Sequence, residues 1–586
     1  MVHVATVPQK ASSEFDFIVV GGGTAGCTVA GRLAENPKVT VLVIEAGPHN
    51  SNEIDMISTP AQAFELRGSK YDWGYKATMI DRPEYTRVEK PDTRGKALGG
   101  SSCGNYYTWV RGSKATIDDW AEYGGGTWNW ENCKEYFEKP ATYHDEDNLY
   151  PDVKDIGRNG PLHLAHAELV PELKPFRDAL EQAWVSKGHN LSSDVYSGTQ
   201  SGLFKCISTI YNGVRSNASV FLEGRDNVTV MPLTYAKHLN FEGDRAIGVT
   251  VMGPDGRDYT FSSKHETIVS LGVYESPKLL LLSGIGPEGQ LNEHKIDVRV
   301  KSEHVGQNLL DHPILAHVFR LKDGYGLDSH ILRPGLQRDA AVDAYQRAKE
   351  GPLSSGLLEL VAFPRCDEQF KTSKQYVQYV EENGGVDPFG PVGQPHFEVD
   401  FVPMYSAPFQ WHFPTPPEGD WLTVIVDLMR PLSRDGYVKL RSRDPLEQPE
   451  INRRFFSNAL DLIALREGVR WVDDILRTGD GMKDIIGEDY PWAMPRNSDE
   501  AMIKMILERS QTGFHPCGTC RLSRDIDQGV VDSGLNVHGV KSLRVIDASI
   551  FPVIPDCRIQ NDVYMVAEKG ADMIKSDHPQ LYGGNN

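Results

Sequence analysis

The chain has 586 residues, 40% of them hydrophobic and 24% charged, a balance that suits a globular protein too long for a single core. Its formal net charge of −20 argues against nucleic-acid binding, which needs clustered Lys and Arg to displace counterions from phosphates. An anionic substrate would need a local basic pocket working against that field.

Residues 1–14 lack an apolar core of signal-peptide length, and no later run reaches the roughly 20 apolar residues that cross a bilayer. Residues 581–586 do not form a Ser-Lys-Leu type peroxisomal tail. Eight cysteines are spread over the chain with no disulfide framework. A cytoplasmic location with no membrane partner is the expectation.

Residues 15–20 (FDFIVV) form a continuous apolar run, as in a parallel strand buried on both faces. They lead into Gly21-Gly22-Gly23-Thr24-Ala25-Gly26, then helical spacing to Leu33, then a second apolar strand over 39–44 that ends in Glu45. This is a complete dinucleotide-binding unit. Gly21 allows the tight turn, Gly23 the close approach of a pyrophosphate, and Gly26 the packing of helix on sheet. Glu45 is placed to accept hydrogen bonds from a ribose diol, and the helix N-terminus to hold the pyrophosphate.

Residues 94–112 carry Leu98-Gly99-Gly100-Ser101-Ser102 and Asn105, a glycine-rich loop that permits backbone to lie against a flat ring or a phosphate. Short strands are expected at 227–231, 246–251 and 266–272, with a helix over 277–283. From about 313 the pattern becomes short alternating strands, such as 396–401 and 422–427. The charged stretch 366–383 reads as a surface excursion, and Phe409, Trp411 and Phe413 as core or pocket lining.

Near the C-terminus, Gly513-Phe514-His515-Pro516-Cys517-Gly518-Thr519-Cys520 offers an imidazole, and Pro555-Asp556-Cys557-Arg558-Ile559-Gln560-Asn561 a permanent cation. A strand over 543–547 and a helix over about 562–574 accompany them. Cys517 and Cys520 lack a second pair for zinc and read as small buried residues of a turn. No set of His, Cys and acids has ligand spacing, so no metal is predicted.

The fingerprint ending in Glu45-Ala46-Gly47, the 98–105 loop, Ser276 to Gly286, Val305 to Pro313 and the His515 block together resemble the glucose–methanol–choline (GMC) oxidoreductase family. The likeness runs from about Phe15 to Lys575; Val273, where the family's second signature usually has a smaller residue, is a minor departure. It implies FAD rather than NAD, on an α/β fold: a Rossmann-like FAD-binding domain with a second, substrate-binding domain built on a mostly antiparallel sheet. The expected division is 14–160, 200–312 and 535–576 for FAD, with 161–199 and 313–534 for substrate. The resemblance places Gly21, Gly23, Thr24, Ala25, Gly26, Glu45, Ala46, Trp73, Leu98, Gly99, Ser101, Asn105, Asp547, Ala548, Gln560 and Asn561 around the cofactor. It makes His515 the acid–base residue.

Arg558 stands where alcohol-oxidising relatives carry a neutral His or Asn. A guanidinium stays charged and offers a planar fork that matches a carboxylate. Left unpaired and buried, it calls for an anion, and the smallest carboxylate with a transferable hydride is formate. Arg558 is thus expected to clamp the carboxylate while His515 orients it, with no base needed at oxygen. Residues 357–361, 409–413 and 555–561 resemble the formate-oxidising fungal members of the family. That implies formate and dioxygen as substrates, carbon dioxide and hydrogen peroxide as products, and non-covalent FAD with its 8-methyl oxidised to formyl (8-formyl-FAD). Arg87 is a second candidate cation for the substrate channel, and a homodimer is compatible with this reading. The alternatives are an alcohol oxidase of the family, with Arg558 paired to an acid such as Asp556, and a non-redox lyase that uses FAD structurally.

Overall fold

The computed structural model describes residues 3–4, 13–82, 89–145, 156–157, 159–166, 170–192, 194–410 and 413–583. The strand Glu14–Val20 is apolar at five of seven positions and buried at six, and lies between Val41–Ile44 and Asp258–Val269, parallel to both. Val228–Met231 extends this layer beyond Val41–Ile44, again in parallel. The strands Arg245–Met252 and Tyr235–Glu242 continue the other side as an antiparallel wing. Leu543–Val545 also pairs in parallel with Asp258–Val269, which carries the C-terminal segment to the mouth of the glycine-rich turn.

The second large sheet is antiparallel throughout. Pro313–Leu321 lies between Ile486–Tyr490 and Asp420–Leu428, followed by Phe397–Val402, Leu360–Phe363 and Gly202–Lys205. Its alternation decides what each face can do. Phe397, Val399, Phe401, Val424 and Val426 join the core that includes the long helix Ala459–Thr478. The opposite face presents Glu398 and Asp400 from one strand, Ile425 and Asp427 from the next, and Ile314 from the third. Register pairs Glu398 with Asp427, Asp400 with Ile425, and Ile314 with Asp427. Every residue of Phe397–Val402 and Asp420–Leu428 is buried, the acids included.

Boundaries shift modestly from the sequence reading. The helix expected over 277–283 spans Gly272–Leu282, and the C-terminal one begins two residues early, as Gln560–Asp577. Its N-terminus has no side-chain cap to mark it in the sequence. Among the described residues, no helix is long and apolar enough to cross a membrane.

Candidate active site

One cavity runs from the glycine-rich turn to the inner face of the antiparallel sheet. Gly21 (φ +106°) needs the left-handed region, and a Cβ there would stand 2.3 Å from the Ser270 carbonyl oxygen. A Cβ on Gly26 would meet the Gly21 carbonyl oxygen at 1.8 Å. Gly23 differs. Nothing lies closer than 3.9 Å to its Cβ position, so the backbone there is open to a ligand at the start of the helix Thr24–Leu33. Replacing Gly26 by alanine should give protein that purifies with little bound flavin, checked by flavin absorbance per chain. Full occupancy would contradict this packing argument.

Of the residues expected around the cofactor, Gly21, Gly23, Thr24, Ala25, Glu45, Ala46, Trp73, Ser101, Asn105, Asp547, Ala548 and Gln560 line the cavity. Gly26, Leu98, Gly99 and Asn561 do not. Glu45 accepts hydrogen bonds from the backbone N–H of Gly22 (3.1 Å) and Gly47 (2.7 Å), and burial pushes its carboxyl up to about 7. Two of its roughly four lone-pair sites remain. Asp547 is committed to Gly272, Ser276 and Ser549. Gln560 accepts from the Asn105 amide, while its own buried Nε2 has no partner among the described residues. An uncapped helix start, an open Gly23 and an unpaired Gln560 amide suit a nucleotide cofactor with a polar ring edge.

At the other end, Phe514 takes a left-handed backbone (φ 63°) immediately before His515, a costly conformation for an aromatic residue. It is held there by surrounding hydrogen bonds. Thr512 Oγ1 accepts from the Phe514 N–H (2.8 Å) and donates to Asp311 Oδ2 (2.5 Å), while Asp311 Oδ1 accepts from the His515 N–H (2.9 Å). Asp311 is ion-paired with the fully buried Arg453, which also pairs with Asp92.

The imidazole of His515 meets that of His312, Nδ1 to Nδ1, at 3.0 Å. His312 Nε2 lies 3.1 Å from the Pro555 carbonyl oxygen, which can only accept, so Nε2 carries the His312 hydrogen. Burial holds His312 down to about 3, and burial, with His312 and Arg558 adding to it, holds His515 well below the usual imidazole range. With both rings neutral, His312 Nδ1 must accept and His515 Nδ1 must donate. His515 Nε2 is left with a lone pair.

Arg558 lines the same cavity, but not as an unpaired cation. Its Nε donates to Glu398 Oε1 (2.8 Å), its backbone N–H to Glu398 Oε2 (3.2 Å), and its Nη2 to Asp400. This corrects the expectation of a bare guanidinium: the sheet register supplies the counter-charge that sequence reasoning assigned to substrate. Asp556, the partner considered in the alternative, instead accepts from the Ser113 N–H (2.7 Å). Among the described residues Nη1 has no hydrogen-bond partner, so one edge of the fork is left. Arg87 lies outside the described residues, as does Trp411. Arg94 and Arg67, to which the sequence reading gave no role, do line the cavity; both donate to backbone carbonyls, Arg94 to Phe514 and Arg67 to Pro408. Sequence reading also missed roles for His312, Asp311, Glu398, Asp400 and Asp427. Only the adjacent Asp311 and His312, inside a quoted motif, carried a signal.

A parallel nucleotide-binding layer, an antiparallel substrate layer and a histidine between them define a flavin-dependent oxidoreductase. The chain belongs to the GMC oxidoreductase family, whose sequence profiles match residues 15–314 and 431–567, and it is an FAD-dependent enzyme. The crystal structure of formate oxidase superposes with a TM-score of 0.96 at 54% identity, covering 97% of this chain and all of that one. Variants of the Aspergillus oryzae RIB40 enzyme, made to follow FAD modification by replacing an arginine, match equally well. Curated relatives are more distant. An oxygen-dependent choline dehydrogenase of Burkholderia multivorans is 30% identical over 576 residues, 97% of this chain and 94% of its own. An uncharacterized GMC-type oxidoreductase of Mycobacterium bovis is 32% identical over 581 residues, 96% of this chain and all of its own.

Proposed function

We propose that the chain is a formate oxidase, converting formate and dioxygen to carbon dioxide and hydrogen peroxide. The observation that carries this reading is Arg558, fixed in the cavity wall by Glu398 and Asp400 with its Nη1 edge uncommitted. Bound FAD would accept the hydride at N5 and pass the electrons to dioxygen. In this reading Gly23 and the following helix hold its pyrophosphate, Glu45 its ribose, and Gln560 with the helix Gln560–Asp577 its pyrimidine edge. The FAD is non-covalent and carried as 8-formyl-FAD, a proposal supported by the interest in FAD modification of the 54% identical enzyme. A homodimer in the cytoplasm, with substrate passing Arg87, completes the proposal.

The residues set how the substrate enters. Arg558 is already engaged by Glu398 and Asp400, and the His515 Nε2 lone pair would repel a formate oxygen. One proton between that oxygen and Nε2 removes the conflict. The substrate therefore binds as formate plus one proton, and His515 takes this proton as the C–H hydrogen leaves with its electron pair. HCOOH thus yields CO2, a hydride and a proton, and O2 takes up the last two as H2O2. In this proposal His515 acts as a base, where the reading from residues alone gives it an orienting role.

The acids would equally suit a cationic alcohol such as choline, given the choline dehydrogenase relatives. Arg558 stands as a built-in cation in that place and would repel it. Peroxide release with formate, methanol and choline tests the proposal: formate must be the strongly preferred substrate, and preference for either alcohol sinks it.

The pH dependence has a definite sign. Burial among neighbouring acids pushes the Glu398 carboxyl up to about 8. Raising the pH through that region adds negative charge beside Arg558 and removes the proton that accompanies formate. Both effects lower kcat/KM, so initial rates at low formate should fall steadily from pH 6 to 9. A flat or rising profile would contradict the charge assignment.

A further inference from the structure

Asp427 lies on the strand Asp420–Leu428, 2% exposed, and lines the cavity. Its Oδ1 is buried with no hydrogen-bond partner, and neither oxygen has one among the described residues. The same sheet face is apolar at the neighbouring Ile425 and Ile314, both of which also line the cavity. A carboxyl among them, with no donor, would carry a large desolvation cost if ionised.

The charged groups around it make ionisation harder still. Glu398 is its register partner, and Asp400 lies two residues further along that strand, on the same face. Asp311 precedes the strand on its other side. The cation nearby, Arg558, is already engaged by Glu398 and Asp400. A negative charge on Asp427 has no cation left to pair with. Its carboxyl is held well above the usual range by burial, with Asp400 and Glu398 adding to the effect.

We propose that Asp427 keeps its proton in the folded enzyme and donates it as a hydrogen bond to an oxygen of the substrate carboxylate held by Arg558. A neutral carboxyl offers one O–H, and a one-carbon acid offers oxygen lone pairs to receive it. Asp427 is then a specificity-determining residue: it favours a substrate with two acceptor oxygens over an alcohol, which has one oxygen already committed to His515. No bond to carbon is made or broken there.

This inference rests on the formate reading, and the experiment separates the two. Asp427→Asn keeps a donor of the same shape, whereas Asp427→Leu removes it. In the holoenzyme, the dissociation constant of formate from anaerobic flavin reduction should rise about 10- to 100-fold in the leucine variant, the loss of a hydrogen bond to a charged group. It should stay within a few-fold in the asparagine variant. Infrared difference spectra should show a protonated-carboxyl band that moves on adding 13C-formate and is missing in Asp427→Asn. Unchanged formate affinity in Asp427→Leu, or no such band at neutral pH, overturns the proposal. If Asp427→Leu does not fold, the infrared comparison with Asp427→Asn decides alone. A wild-type enzyme that formate does not reduce would defeat the substrate reading, while the carboxyl band would still report the proton on Asp427.

Discussion

Replacing His515 by alanine lowers the rate of flavin reduction by formate about 10²- to 10⁴-fold, the usual contribution of a positioned acid–base group. The structure gives the reason in atoms. His515 Nδ1 is committed to His312, itself fixed by the Pro555 carbonyl, so Nε2 alone remains to take the substrate proton. Asp311 grips the backbone N–H of His515 rather than its ring, so removing the imidazole leaves the loop anchored. Flavin content and Tm should therefore change little. Rapid-mixing absorbance at saturating formate measures the effect, and a loss below about tenfold would mean that the ring only fills space.

Arg558→Ala should have a different signature. Loss of the charged hydrogen bond should raise the formate KM about 10- to 100-fold. The variant also leaves Glu398 and Asp400 buried without their cation, and breaking such a pair from one side costs about 3–5 kcal/mol. The acids respond by holding their protons more tightly. A carboxyl whose folded-state pKa is raised stabilises the fold fully below its unfolded value and loses that contribution as pH rises through the folded one. The Tm deficit of Arg558→Ala against the parent should therefore widen as pH rises through the Glu398 region near 8, from pH 6 to pH 9. Thermal melts at both values check it; a deficit that narrows would place the counter-charge elsewhere.

The two ends of the cavity differed in how readable they were. The turn around Gly21 and Gly26 obeys steric rules local to a dozen residues, and those rules are written in the sequence. His515 and Arg558 lie in short blocks of distinctive composition and were found as residues. The environment of Arg558 was not legible, because Glu398 and Asp400 sit about 160 positions earlier in the chain. They reach it only through the register of an antiparallel sheet. Acids alternating with Phe397, Val399 and Phe401 look like the wet face of an edge strand. Here both faces are covered, one by the helix Ala459–Thr478 and the other by the cavity wall. The tautomer of His515 was equally hidden, since it follows from one carbonyl, that of Pro555, placed against His312. Arg94 follows the short strand Glu89–Asp92 in a mostly polar stretch, and nothing in that pattern marked it for the cavity.

The most direct test is the visible spectrum of the purified holoenzyme mixed with formate under nitrogen. A hydride acceptor facing an Arg558-bound one-carbon acid predicts prompt bleaching of the oxidised flavin, slowed when the carbon-bound hydrogen is deuterium, and full recovery on admitting air. A spectrum that formate leaves untouched, while an alcohol bleaches it, would contradict the account.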